Sequence, residues 1–306
     1  MQQLLSVCVP LFNSADTVQK CLESVLSQSY GDFECLVVDN ASTDSTVERV
    51  LQFDDPRIRL VRNERNIGLV GNHNRCVELA RGSVMQFVHG DDWLLPNCLE
   101  LLLPFFDDPD VVLAFAPRIV ETDDTEWKAR YARLETPLAP LATINNGQEL
   151  IRRYLDAGAG GNPIGEPTAV MVRRETLIKA GGFRVDVPQL QDIEAWLRVI
   201  ALGHVAYVDD ELTVRWHHSG SETDLHQGAP SIDRMWVMTG LMNCRELDNS
   251  LRRRAFTLWL RSFAHVPEDL VRNPSGQRMQ LLNRLARQLA ATARTTPLTF
   301  GEGTNP

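Results

Sequence analysis

Short apolar runs punctuate the first half of the chain, and between them apolar residues recur at helical spacing. The runs at 5–11, 33–38, 58–61, 84–88 and 111–116 each predict a strand, and the one at 84–88 a buried strand. Val18, Leu22, Val25 and Leu26 predict a helix, with Asn13 or Ser14 expected as its cap. A short helix through Val47 and Val50, a helix at 72–80 stopped by Gly82, and another at 99–106 fill the remaining gaps. Strand and helix alternating in this rhythm imply an α/β fold with a largely parallel sheet covered on both faces.

The pattern weakens over 121–140, where Asp123, Asp124, Glu126 and prolines predict an exposed, mobile connection. A helix at 148–155, an irregular loop at 158–163, a short strand at 169–172 and a turn at 181–183 come next. A helix at 193–202 and a late strand at 212–216 complete this part. From about 227 the chain turns helical and arginine-rich, with Arg252-Arg253-Arg254 followed by Phe256, Leu258, Trp259 and Leu260. This reads as an appendage of two to four helices whose last ten residues are expected to be disordered. The expected division is therefore a domain over 1–226, with halves 1–118 and 119–226, and a helical region over 227–306.

Composition narrows the function classes. The 306 residues are 43% hydrophobic and 23% charged, ordinary for a soluble protein. A net charge of −9 argues against nucleic acid as a partner. No apolar run approaches the ~18 residues that span a bilayer, and the start of the chain lacks the basic region of a signal peptide. The six cysteines form no CxxC pair, and several sit inside apolar runs. The expected location is the cytoplasm, with the inner face of a membrane as the alternative.

Chemistry concentrates at strand ends. The run Val84-Met85-Gln86-Phe87-Val88 ends in His89-Gly90-Asp91-Asp92. Adjacent carboxylates repel and need a cation, donors or open water. A divalent metal carrying a phosphorylated ligand supplies the first; alternatively Asp92 caps a helix starting near Pro96 and Asp91 is a solvated turn residue. Val37-Val38-Asp39 ends another strand in an acid, and parallel strands present such ends to one crevice. Asp39 is expected to accept from a base N–H, with a capped loop as the alternative, and Phe12 either covers a base or packs in the core. Neither GxGxxG nor GxxxxGK[ST] follows the first strand, which speaks against a dinucleotide fingerprint and a P-loop.

In order along the chain stand Ser6-Val7-Cys8-Val9-Pro10-Leu11-Phe12-Asn13, Val37-Val38-Asp39-Asn40-Ala41-Ser42-Thr43-Asp44 and Asn66-Ile67-Gly68-Leu69-Val70-Gly71-Asn72-His73-Asn74. His89-Gly90-Asp91-Asp92, Gly181-Gly182-Phe183, Gln191-Asp192-Ile193-Glu194-Ala195-Trp196-Leu197-Arg198 and Arg215-Trp216-His217 follow. Over 5–223 this series resembles the family 2 glycosyltransferases, inverting enzymes of the GT-A fold. The resemblance implies a Rossmann-like, mostly parallel mixed sheet and a nucleotide-sugar donor, most often a UDP-sugar. It implies nucleotide contacts at Pro10, Phe12, Asn13, Asp39, Asn66, Gly68, Asn72, His89 and Asp91. Asp91 matches the last acid of the family's DxD motif and, with His217, is the implied holder of Mn²⁺ or Mg²⁺. His89 stands where that motif has its first acid.

Asp192 matches the family's catalytic base, with helix capping as its alternative and Gln191 where glutamate is common. The implied activity is transfer to a hydroxyl of a glycan or glycolipid acceptor, in cell-surface polysaccharide, glycolipid or other glycoconjugate synthesis. Glu166-Pro167 beside the glycine-rich loop is the expected acceptor or donor-sugar wall. The departures at His89 and Gln191 keep a degenerate sugar-nucleotide-binding protein as an alternative, and a nucleotidyltransferase is a further one. For the C-terminal helices, peripheral membrane contact or oligomerisation stands against a solvated face.

Overall fold

The computed structural model describes residues 5–187, 189–217, 229–272 and 275–292. An eight-stranded sheet forms its centre, in the order β3-β2-β1-β4-β9-β6-β10-β8. The strands are β1 (Leu5–Leu11), β2 (Phe33–Asp39), β3 (Ile58–Arg62), β4 (Val84–Phe87), β6 (Val111–Phe115), β8 (Ile144–Asn146), β9 (Val170–Arg173) and β10 (His204–Tyr207). β9 runs antiparallel to β4 and β6, β8 runs antiparallel to β10, and the remaining pairings are parallel. The largely parallel sheet expected from the alternation is observed, mixed as the resemblance implies. A second, three-stranded sheet joins β5 (Trp93–Leu94), β11 (Thr213–Trp216) and β7 (Arg118–Glu121).

Helices cover both faces. α1 (Val18–Leu26) buries Val18, Cys21, Leu22 and Val25 against one face, in a cluster with Val7, Val9, Cys35 and Val37. α2 (Thr46–Val50) follows β2, and α3 (Leu69–Leu79) places Cys76 and Val77 on the opposite face with Cys8, Leu36 and Val38. The alternating inward positions of β1 and β2 thus serve two separate cores, as a doubly covered sheet requires. All six cysteines are buried and free, and burial pushes the Cys35 and Cys98 thiols up to about 12. These are packing residues rather than nucleophiles.

Several local expectations need correction. Neither Asn13 nor Ser14 is the cap of α1, which starts after Thr17. Asn13 has φ 49°, and its side-chain oxygen accepts from Thr43 N at 2.9 Å, so it braces a loop instead. The helix expected at 99–106 is α4 (Cys98–Leu102) continued by a tighter 3₁₀ turn (Leu103–Asp107), because Pro104 removes a donor near the turn's start. The supposed mobile connection over 121–140 contains α5 (Thr125–Arg130), capped by Asp124, and the turn Thr136–Leu138. The strands at 93–94, 118–121, 144–146 and 204–207 lay outside the pattern reading.

The second half adds α6 (Gly147–Asp156), α7 (Arg174–Lys179) and α8 (Gln191–Ile200). Among the described residues three C-terminal helices follow: Pro230–Asn243, Asn249–Arg272 and Ser275–Thr292. The expected boundary at 226 and the last ten residues, 297–306, lie outside the described residues. The first C-terminal helix is no free appendage, since Val237, Met238 and Leu241 share one core with Trp196 and Val199 of α8. Along the second, Phe256, Leu260 and Phe263 are exposed. Among the described residues no helix is long and apolar enough to cross a membrane.

Gly240 sets the distance between these parts. A Cβ there would stand 2.2 Å from Glu194 Oε1, and Glu194 is a fully buried carboxylate paired with Arg198 and Arg184. Gly240→Ala must therefore push the helix off α8 or break the ion pair. We expect a loss of about 1–3 kcal/mol, measured by urea unfolding; unchanged stability would show that this contact is loose.

Candidate active site

The parallel strands end on one edge, and the sequence-predicted residues gather there. Leu11 pairs with Asp39 and Asp39 with Arg62 across β1, β2 and β3, while β4 runs out into His89 beside β1. A cleft of about 530 Å³ opens at this edge, with Pro10, Phe12, Asn13, Asn66, Gly68, Asn72, His89, Asp91 and Asp192 on its walls. Phe12 is 46% exposed there, so it is not a core residue.

A hydrogen-bonded asparagine network shapes the cleft's floor. Asn40 donates to Asn66 Oδ1 at 2.9 Å, Asn63 donates to Asn40 and Asn72, and Asn72 donates to the Val38 carbonyl at 3.0 Å. Gly68 has φ 81° at the start of α3, a conformation that favours glycine. Asp39 takes the alternative place, as the acid that caps its own loop. Its carboxylate is fully buried behind the wall, 3.2 Å from Arg62 Nε, and accepts from Ser42 N. Because β3 brings Arg62 directly alongside, this acid braces the loop after β2.

His89, Asp91 and Asp92 form the candidate metal centre. Their ligand atoms lie within 4.8 Å of one another, and among the described residues no other such group of histidine, cysteine or acidic side chains occurs. Asp92 caps no helix: it accepts from Thr168 Oγ1 at 2.7 Å and from Trp216 N at 3.2 Å. Burial raises its pKa, and the charges of Asp91 and Glu166 add to that rise against the opposing pull of His89. Burial opposes charge on His89, but the hydrogen bond and charge of Asp92, with Asp91 and Glu166, outweigh it and raise its pKa. Crowded carboxylates with an imidazole between them are a donor set suited to a divalent cation.

His217, expected as a metal ligand, is not in that group. Its ring stacks on Trp127 of α5, centroids 3.9 Å apart at 7°. Arg215 and Trp216 are the residues of that motif that line the cleft; Arg215 carries the charge. It reaches within 3.7 Å of Glu166 Oε2, and its guanidinium lies 5.2 Å from the Trp127 ring centre. Glu166 also pairs with Arg118 at 2.7 Å. Burial pushes its carboxyl up, but the charges of Arg118 and Arg215 prevail and hold it below the ordinary value.

A second hollow of about 480 Å³ adjoins the first, lined by Trp127, Tyr131, Leu134, Asn162 and Val187 among others. Glu166, Asp192 and Arg215 belong to both hollows. Asp192 does not cap α8. It lies in the first turn, after Leu190, whose left-handed φ of 58° costs about 1–3 kcal/mol in a branched residue. Asp192 Oδ1 accepts from Ile193 N and Oδ2 from Asn162 Nδ2, both at 2.8 Å. Burial raises its pKa over the lowering effect of those two bonds. Arg215, Asn162 and Trp127 are candidate-site residues that the sequence reading did not assign, whereas Asp92 is one of the two crowded acids it singled out. Arg215 was within reach, since it stands in a motif already singled out.

The family model for glycosyl transferase family 2 matches residues 6–179. An uncharacterised protein of Mycobacterium tuberculosis, MT1568, is 41% identical over 96% of this chain and 94% of its own length. TuaG of Bacillus subtilis, a putative teichuronic acid biosynthesis glycosyltransferase, is 28% identical over 67% of this chain and 75% of its own. Among solved structures, S. aureus TarS 1-349 in complex with UDP-GlcNAc superposes with a TM-score of 0.71 at 17% identity. That match covers 94% of this chain and 81% of that one. The mannosyltransferase PcManGT of Pyrobaculum calidifontis, with GDP-Man and Mn²⁺, gives 0.56 at 20% identity, covering 94% of this chain and 74% of that one. The chain belongs to glycosyl transferase family 2 and has the GT-A fold.

Proposed function

We propose that the chain moves a sugar from a UDP-sugar to a hydroxyl of a glycan or glycolipid, inverting the anomeric carbon, in cell-surface polysaccharide or related glycoconjugate synthesis. One observation carries this reading: Asp192 stands on the wall common to both hollows, one of which also holds the acidic cluster. The donor takes the hollow with the cluster and the acceptor the other. TarS, solved with UDP-GlcNAc, supports a nucleotide-sugar donor. So does the name of WfgD of Escherichia coli, a UDP-Glc-dependent β-1,3-glucosyltransferase 38% identical over 32% of this chain and 39% of its own.

In this reading Phe12 covers the base, while Pro10, Asn13, Asn66, Gly68 and Asn72 shape its pocket. Asp39 acts from behind by fixing the Ser42 loop. His89, Asp91 and Asp92 hold Mn²⁺ or Mg²⁺, which supplies a Lewis acid for the charge of the leaving diphosphate. Arg215 adds a positive charge on the same wall. Asp192 takes the acceptor hydroxyl proton as the new C–O bond forms; the bond from the anomeric carbon to phosphate breaks, and its electron pair leaves with the diphosphate. A carboxylate cannot ionise a free alcohol beforehand, so proton transfer accompanies bond formation. One base facing one leaving group across the sugar means a single displacement, hence inversion.

A thermal-shift panel of UDP, GDP and TDP with Mn²⁺ or Mg²⁺ tests the donor. UDP with Mn²⁺ at about a hundred times its Kd is expected to stabilise by about 2.7 kcal/mol, a rise of roughly 5 °C or more. The reading fails if no nucleoside diphosphate shifts the transition with either ion. Turnover that consumes UTP would instead make the chain a nucleotidyltransferase. Binding without transfer or hydrolysis would make it a catalytically inactive relative.

A further inference from the structure

Two histidine rings meet behind the acidic cluster. His73 Nδ1 lies 2.9 Å from the Leu69 carbonyl oxygen, one turn earlier in α3, and His73 Nε2 lies 2.9 Å from His89 Nε2. A carbonyl only accepts, so His73 Nδ1 carries the hydrogen. The ring is 3% exposed and packs on Phe87 and Phe183, centroids 5.5 and 5.3 Å away. Such apolar surroundings favour a neutral ring, and a neutral ring that donates from Nδ1 presents a bare lone pair at Nε2. His89 Nε2 must then be the donor of the pair. This holds whether His89 carries one proton or two, because Nε2 keeps its hydrogen in both states.

The consequence appears on the other side of the His89 ring. Nδ1 is the nitrogen facing the carboxylates, 3.6 Å from Asp92 Oδ2. The same oxygen is fixed by the Thr168 hydroxyl at 2.7 Å, and Thr168 Oγ1 also accepts from His89 N at 3.1 Å. Ring and carboxylate are therefore held in register by one threonine, and the ring's tautomer is set by one histidine.

We propose that His73 is a positioning residue for divalent-ion binding: by accepting from His89 Nε2 it presents His89 Nδ1 as a ligand beside Asp91 and Asp92. The inference rests on the metal reading given above and adds the identity of the ion. A histidine that binds metal through one nitrogen is oriented by what the other nitrogen donates to. A mixed nitrogen and oxygen site suits Mn²⁺ better than Mg²⁺, which takes oxygen ligands and keeps its waters. The His73–His89 pair thus biases this site toward Mn²⁺.

Long-range ¹H–¹⁵N NMR of the metal-free full chain reads the tautomers directly. Hydrogen on His89 Nε2 and a bare His73 Nε2 are expected; a bare His89 Nε2 overturns the proposal. EPR titration with Mn²⁺ alone provides the second readout. His73→Phe keeps a ring between Phe87 and Phe183 but removes the acceptor, and should weaken Mn²⁺ about 10–100-fold, with Mg²⁺ competing more effectively than in the parent. His73→Gln keeps an acceptor oxygen and should restore most of the affinity. Unchanged Mn²⁺ affinity in His73→Phe, with binding lost in Asp91→Ala, sinks the role of His73 and leaves the metal reading standing. Unchanged Mn²⁺ binding in Asp91→Ala sinks both.

Discussion

Asp192→Asn is expected to lower turnover about 10²–10⁴-fold while donor binding stays nearly unchanged. The substitution keeps the shape of a side chain already fixed at both oxygens, by Ile193 N and Asn162 Nδ2, and removes its charge and its capacity to take a proton. Asn162 is itself held, accepting from Gly165 N and donating to the Gly165 carbonyl. It cannot flip to suit an amide, so one hydrogen bond is lost at a cost of about 1 kcal/mol. Relief of a buried charge acts in the opposite direction, and the fold survives.

The pH profile gives a second, independent reading of the same residue. Burial holds the Asp192 pKa above the ordinary carboxylate range. A base works only when ionised, so activity should fall as pH drops through that raised value and level off above it. Glu166, whose pKa is lowered by Arg118 and Arg215 despite burial, does not set that limb, whereas Asp92, whose pKa burial also raises, adds to it. Unchanged turnover in Asp192→Asn removes Asp192 from the base role. NMR of the first-formed product should show the anomer opposite to that of the donor.

How legible this site was depended on the kind of contact involved. Strand ends were readable, because short apolar runs broken by Asp39 and His89 show where a sheet edge lies. The crevice-lining positions Pro10, Phe12 and Asn66 followed from the family resemblance, with Phe12 just past the end of β1. Asp39 shows the limit: its place at the edge was clear, but its burial depends on Arg62 arriving on the neighbouring strand, and register across strands is not written in either strand alone. Arg215 lies in β11 and His217 just after it, and both meet Trp127, the histidine by stacking and the arginine from the cleft wall.

Other parts carried no local signal. β5 is two residues long and exists because β11 pairs with it, so no periodicity could reveal it. The segment at 121–140 is polar enough to read as a loop, yet its Trp127 and Tyr131 line the second hollow. His73 looks like any polar residue within a helix, and its importance comes entirely from a ring 16 residues away. Local pattern found the scaffold; contacts between distant segments decide which of its polar residues face ligand.

Asp91→Ala is expected to abolish the part of donor binding that depends on metal, a loss of about a hundredfold or about 3 kcal/mol. Asp91 and Asp92 are adjacent but differently employed. Asp92 is buried and has both oxygens occupied, by Thr168 and by Trp216 N. Asp91 is partly exposed on the cleft wall, so it is the acid better placed to face both ion and diphosphate. Removing it leaves one carboxylate and one imidazole, too few charged ligands to hold a hard cation against water. The measurement is calorimetry of a UDP-sugar with and without Mn²⁺ on parent and variant. In the parent Mn²⁺ should tighten binding; in Asp91→Ala the two titrations should coincide at the parent's metal-free affinity. A variant that still responds to Mn²⁺ as the parent does would place the ion elsewhere on the cleft wall, and the cluster at the end of β4 would then be an electrostatic brace for Arg215 rather than a metal centre.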